Sequence, residues 1–320
     1  MSSPEQPPEH PNVEIEADEP NEAESALGDD ISQLTQSIRS SLLQGVEENG
    51  RKYHKYKDGS YILPEDDKEQ DRLDLQHEMF LKSLDQKLHL APIDSKLHEV
   101  LDLGTGTGIW AIQFADEHPE SSVLGIDLSP IQPTWIPPNC KFEVDDFDTA
   151  WTFDKQFDFI HGRMLFTASA DFPALFRRAY DSLKPGGWIE MQDLYMPLLS
   201  DDGSLDGTAF GEWNVKYMEA CDVLKRSPSL TAKYKEWIME VGFENVKEHI
   251  FKWPINPWAK DKHLKTMGLW NMHNMLDGLD GFTVRLWTMA LGMTPEEIQA
   301  FLVPVRKDLR DTKIHSYWRM

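Results

Sequence analysis

Positive charge is scarce in this chain. Its 320 residues hold 32 Lys or Arg against 55 Asp or Glu, a formal net charge of −23, and so acidic a balance argues against binding nucleic acid through a general basic face. Cysteine is rarer still. Cys140 and Cys221 are the only two and neither stands in a C-x-x-C pair, so a disulfide framework is excluded and both read as reduced thiols. No apolar run reaches the length of a bilayer span, and the start M-S-S-P-E-Q-P-P-E-H lacks the basic and apolar segments of a secretion signal. A soluble protein of the cytoplasm, the nucleus or both is expected, without membrane attachment. His54, His77, His98 and His118 lack ligand spacing, so no metal is expected.

Residues 1–30 contain ten acids, five prolines and no Lys or Arg. Such a segment cannot bury enough apolar surface to offset its ordering entropy, and it reads as a disordered acidic tail. Residues 31–96 read as an N-terminal helical cap. Ile31, Leu34, Ile38, Leu42 and Val46 recur at helical spacing up to a stop at Asn49-Gly50, and an aromatic turn follows from Tyr53 to Tyr61. Pro64 with Asp66 or Asp67 then opens a second helix that places Leu73, His77, Phe80, Leu81, Leu84 and Leu88 on one side. From 97 to 320 short apolar runs alternate with helical patterns, which predicts a parallel sheet covered by helices on both faces. Helical insertions are expected at about 196–230 and 259–310. Thr294-Pro295-Glu296-Glu297 is a capped helix start within the second.

The most informative stretch is H-E-V-L-D-L-G-T-G-T-G-I-W, His98 to Trp110. An apolar run ends at Gly104 and a helical pattern begins after Gly108, with glycines at 104, 106 and 108 that permit positive φ and close approach of a ligand to the backbone. The spacing is not the G-x-G-x-x-G of dinucleotide folds. Asp102 lies before the loop, Asp127 closes the next strand, and Asp145-Asp146 closes the one after. In an open α/β sheet these carboxylates share one crevice at the carboxyl ends of the strands, where a pyrophosphate would be repelled and a cationic ligand favoured.

The run D-L-G-T-G-T-G resembles motif I of the class I S-adenosylmethionine-dependent methyltransferases. The phrases Y-H-K-Y-K-D-G-S-Y, L-S-P-I-Q-P, F-I-H-G-R-M-L, L-K-P-G-G-W-I-E-M-Q-D and I-H-S-Y-W further resemble the LaeA-like methyltransferases of filamentous fungi, which are linked to control of secondary metabolism. The resemblance implies a Rossmann-like sheet and S-adenosylmethionine as cofactor. It places Gly104, Thr105, Gly106 and Gly108 along the methionine part and Asp127 at the ribose hydroxyls. Asp146 with Phe147 falls to the adenine, Leu128 and Asp145 are counted with them as cofactor-binding, and Asp102 supports the loop or the amino group. It also implies a seventh strand near the carboxyl terminus. Here that strand is expected to be truncated, with residues 313–320 either entering the sheet as a stub or leaving its edge open.

His161 and Arg163 end the fourth strand beside the same crevice. His161 is the candidate general base, against a structural role in which it only hydrogen-bonds and Arg163 pairs with an acid. Tyr53, Tyr56 and Tyr61, with Arg163, either pack the cap or cover cofactor and substrate. For Asp145 and Asp146 a plain solvated turn is the competing account. The Met and Trp crowd of 261–293 reads as core, or else as an apolar substrate pocket. The methyl acceptor is a small molecule or a protein, and regulatory protein partners accompany the second case. A scaffold that keeps the fold without catalysis is the rival from another class.

Overall fold

The elements form where apolar periodicity and capping chemistry agree. The computed structural model describes residues 46–48, 50–53, 63–93 and 97–320. The acidic tail, most of the first expected helix, and Tyr56 and Tyr61 lie outside these residues. The helix does not extend to Gly50 as expected. Instead β1 (Val46–Glu48) pairs antiparallel with β2 (Arg51–Tyr53), and Gly50 takes φ +74°. Asn-Gly, read as a helix stop, is also the strongest short hairpin signal.

Asp66 opens α1 (Asp67–Ser83) by accepting the amide N–H of Glu69, and Arg51 holds the same carboxylate at 2.6 Å. The α/β alternation follows: β3 (Glu99–Leu103), α2 (Ile109–Glu117), β4 (Ser122–Asp127), β5 (Cys140–Val144), β6 (Phe157–Arg163), α3 (Phe172–Ser182) and β7 (Leu183–Gln192). These strands make one five-stranded parallel sheet in the order β5-β4-β3-β6-β7. The central strands β3, β4 and β6 are short and mostly buried, as strands covered on both faces require. The Lys184-Pro185-Gly186-Gly187 run does not form a separate turn. It shifts the β6–β7 register between Phe157 and Phe159.

Beyond the sheet the helical insertion expected at about 196–230 begins late. A strand, β8 (Tyr195–Ser200), takes its start, and the helix α4 begins only at Ala209 (Ala209–Val223). The reason lies far away in sequence. The apolar pattern of Phe243 to Trp253 predicts a sixth strand, of which only β9 (Lys252–Pro254) forms, after α5 (Tyr234–Val241). Two helices, α6 (Lys262–Leu291) and α7 (Pro295–Asp308), then lead to β10 (Ser316–Arg319). That four-residue stub lies between β8 and β9, antiparallel to both. Thr294 and Glu297 form a reciprocal capping box at the start of α7. β7 is paired only with β6. Its other edge faces residues 242–251 across a groove of about 1060 Å³ that Arg319 and Met320 close at one end.

The Met and Trp crowd is core in part, with Met289 exposed. Met267, Met275 and Trp287 are buried with Trp213, Trp253 and Trp318 in the largest apolar cluster. α1 is fastened to this part of the chain. Arg72 donates to Asn274 at 2.7 Å from within a buried pair with Glu69, and the Trp253 indole donates to Ser83 at 2.8 Å. No helix among the described residues is long and apolar enough to cross a membrane.

Candidate functional site

The glycine loop joins the end of β3 to the start of α2, where unpaired amide N–H groups gather. Gly104, Gly106 and Gly108 have φ of +59°, +57° and +80°, a region costly for any side chain. Their surroundings differ, and so do their reasons. A Cβ on Gly104 would fall 2.6 Å from Leu165, and one on Gly108 would fall 2.5 Å from the Phe142 ring. One on Gly106 would meet only Leu73, at 3.6 Å. Gly108 and Gly104 thus allow close packing, whereas Gly106 leaves space over the loop.

Two side chains fix that loop from the next connection. Asp127, at the end of β4, accepts from the Gly106 N–H at 2.8 Å and from the Ser129 N–H at 2.9 Å. Gln132 donates to the Gly106 carbonyl at 2.7 Å and to that of Ser129 at 2.9 Å. Gln132 was not singled out as a site residue, although it belongs to the quoted phrase L-S-P-I-Q-P.

Beneath the loop, Asp102 is buried on β3. It accepts from Thr105 Oγ1 at 2.5 Å, and His161 Nδ1 on β6 lies 2.7 Å from its other oxygen. Since a carboxylate only accepts, His161 carries its proton on Nδ1. The imidazole is fully buried and stacked on Trp110, with ring centroids 3.7 Å apart. Its Nε2 has no hydrogen-bond partner.

The helix α1 forms the roof. Leu73 and Gln76 close a cavity of about 50 Å³ whose floor is Gly104 to Thr107, Trp110, His161 and Arg163. Asp74 accepts from Thr107 Oγ1 at 2.9 Å. His77, read from sequence as core packing, is buried but hydrogen-bonded. Its Nε2 meets Gln113 at 2.9 Å and its Nδ1 meets Arg163 at 3.0 Å. Burial, reinforced by the Arg163 charge, pushes His77 down to about 4, so it is neutral at physiological pH.

The remaining candidates separate. The Asp145 N–H reaches the Asp127 carbonyl at 3.0 Å, so the two strand ends do adjoin. Asp145 accepts from the Asp146 N–H and Asp146 from that of Asp148, both at 2.8 Å, which is the geometry of a turn. Phe147 is buried with its ring 3.5 Å from where a Gly104 Cβ would be, and Leu128 follows Asp127 at the rim. Tyr53 lies away from the loop, buried with the Arg285 guanidinium 4.3 Å over its ring. The sequence pattern places Leu73 on the apolar side of the cap helix but does not single out Asp74 and Gln76, because the roof is a long-range contact without a local signal.

These residues suit the cofactor that the resemblance implies. Gly106 offers a cradle that a Cβ would narrow, and acids at three strand ends favour a sulfonium and an ammonium. The orphaned His161 Nε2 and the Arg163 guanidinium leave polar capacity beside the loop.

A methyltransferase-domain profile matches residues 75–255. The methyltransferase pytC of Aspergillus terreus is 38% identical over 311 residues, 96% of this chain and 94% of that one. The probable methyltransferase tdiE of Emericella nidulans is 38% identical over 79% of this chain and 80% of its own. The protein-methionine methyltransferase laeA of the same organism is 34% identical over 88% of this chain and 76% of its own. With the glycine loop, its acid rim and the parallel sheet that presents them, these likenesses identify the chain as a member of the LaeA-like S-adenosylmethionine-dependent methyltransferases.

Proposed function

We propose that the chain methylates a small metabolite in a fungal secondary-metabolic route. The observation that carries this reading is the roof. With α1 over the loop, only about 50 Å³ remains, against the 300–1,000 Å³ of typical small-molecule sites. A loop roofed by α1 suits a compact, enclosed acceptor better than a protein chain lying across an open trough. The cofactor, when bound, supplies a methyl group already activated by positive sulfur, so the protein's task is alignment and exclusion of water. Asp127 and Gln132 set the height of Gly106, Asp102 is held between Thr105 and His161, and the Thr107–Asp74 bond fastens the roof. His161, with no exposed surface, is assigned to positioning Asp102 rather than to proton removal.

The similarity to the protein-methionine methyltransferase laeA and to secondary metabolism regulators of that name favours a second reading, a regulator that methylates protein. Radiolabelled S-adenosylmethionine separates the two. The purified protein is incubated with the low-molecular-weight fraction and, separately, with the protein fraction of a fungal extract. Label in an extractable metabolite supports the first reading, and label in protein alone replaces it with the second. No label in either fraction favours a non-catalytic scaffold.

A further inference from the structure

Arg163 is a cation without an acid. Among the described residues no carboxylate lies within ion-pair distance of its guanidinium, although several acids are near the cleft. What holds it instead is neutral. Its Nη1 meets His77 Nδ1 at 3.0 Å, and its guanidinium lies 5.0 Å over the Phe80 ring. Arginine only donates, so His77 accepts at Nδ1 and carries its own proton on Nε2, toward Gln113. The network aims the guanidinium and puts no carboxylate in contact with it. Burial weakens the hold of Arg163 on its proton, to about 10, while the more distant Asp102 and Asp74 resist the change.

Arg163 also borders the cavity under α1, and among the residues lining that cavity it is the only Lys or Arg. The rest of the rim is acidic or neutral. An amino-acid ligand brings both signs, and the carboxylates at the strand ends can accept only its positive groups. Its α-carboxylate needs donors, and beyond the amide N–H groups at the start of α2 the lining offers one cation, a preset guanidinium able to make a charge-assisted fork.

We infer that Arg163, aimed by His77 and Phe80, receives the α-carboxylate of the cofactor's methionine half. The assignment rests on the cofactor reading above and adds to it which group of the ligand each side of the cleft recognises. It makes His77 a positioning residue, with its Gln113 bond as the outer support.

Two ligands isolate the carboxylate: S-adenosylhomocysteine, and S-adenosyl-3-thiopropylamine, which keeps the amine and lacks the acid. Isothermal titration of the wild type is expected to favour the first by about tenfold to a hundredfold, the range of one hydrogen bond to a charged group. In Arg163→Met that preference should collapse to within about threefold, mainly through weaker S-adenosylhomocysteine binding, and Arg163→Lys should keep part of it. Equal affinity of the wild type for the two ligands overturns the inference without needing any variant to fold. So does an Arg163→Met variant that weakens both ligands alike, which would mark a merely structural arginine. If the wild type binds neither ligand, the cofactor reading itself fails, and the inference with it.

Discussion

Substituting alanine at Gly106 and at Gly108 separates ligand access from packing, although the two glycines look alike in sequence. Both have positive φ, and forcing a side chain into that region costs about 1–2 kcal/mol. At Gly106 little else is added, because the nearest atom is Leu73 Cδ1 at an ordinary 3.6 Å. At Gly108 the new methyl would lie 2.5, 2.9 and 3.2 Å from three atoms of the Phe142 ring. The same ring also lies close against Gly125, where an added Cβ would fall 2.7 Å from it, so it is tightly packed. Overpacking of this kind costs a further 1–3 kcal/mol or so. Gly108→Ala should thus lose about 2–5 kcal/mol and Gly106→Ala about 1–2 kcal/mol. At roughly 2–4 °C per kcal/mol for a protein of this size, the melting temperature falls by about 4–20 °C and 2–8 °C respectively. Titration with S-adenosylhomocysteine should show the reverse order, with Gly106→Ala binding at least about tenfold more weakly than Gly108→Ala at a temperature where both are folded. Adding Phe142→Leu should recover part of the Gly108→Ala loss by removing the ring tip. Equal melting temperatures for the two single variants, or no recovery in the double variant, would refute this division of roles.

Asp127→Ala removes the acceptor of two backbone N–H groups, each such bond to a charged group being worth about 1.5–3 kcal/mol. Calorimetry should show at least tenfold weaker cofactor binding, with Asp127→Asn milder, and wild-type affinity in both would detach Asp127 from the site. His161→Ala frees Asp102 and should weaken binding as well as turnover. An altered pH profile of turnover at unchanged affinity would restore the ring as a general base. Asp193 supplies a pH test. Burial raises its carboxyl from 3.8 to about 7, although the Tyr234 hydroxyl and the Phe166 N–H both donate to it. The folded state therefore binds this proton more tightly than the unfolded state, so stability falls as pH rises from about 4 to 7 and stays reduced above that. The ceiling of this loss is about 4 kcal/mol, lowered by the contact of Asp193 with the groove beside β7. Asp193→Asn should melt higher than wild type at pH 8 and equally at pH 4, and parallel curves for the two proteins would exclude this linkage.

Local chemistry was the legible part of the chain. The glycines of the loop, the Asp66 cap of α1 and the Thr294 capping box follow from a few adjacent residues, and so does the strand-helix alternation from β3 to β7. The misreadings share a different cause. Tyr195–Ser200 is a strand because β10, more than a hundred residues later, pairs with it, and no pattern within M-P-L-L-S announces that partner. Residues 244–250 carry a strand-like pattern and form no strand, since β10 reaches only as far as Lys252 and the Phe251 backbone. In the same way Arg163 could be placed beside the crevice from its position at the end of β6. Its neutral companions could not, because His77 and Phe80 arrive from α1, some eighty residues earlier.

The clamp on α1 sets an order of events during synthesis. This helix leaves the ribosome before the glycine loop it covers, yet its anchors, Trp253 and Asn274, are made long afterwards, the latter 202 residues beyond Arg72. Until they arrive, the growing chain carries a binding loop whose cover is unfastened and a buried-to-be Arg72–Glu69 pair still in water. A nascent chain of about 200 residues would therefore hold the sheet and the acid rim but retain ligands poorly. Tight retention begins only when the last third of the protein docks, so ligand-binding capacity reports completion of folding rather than formation of the sheet.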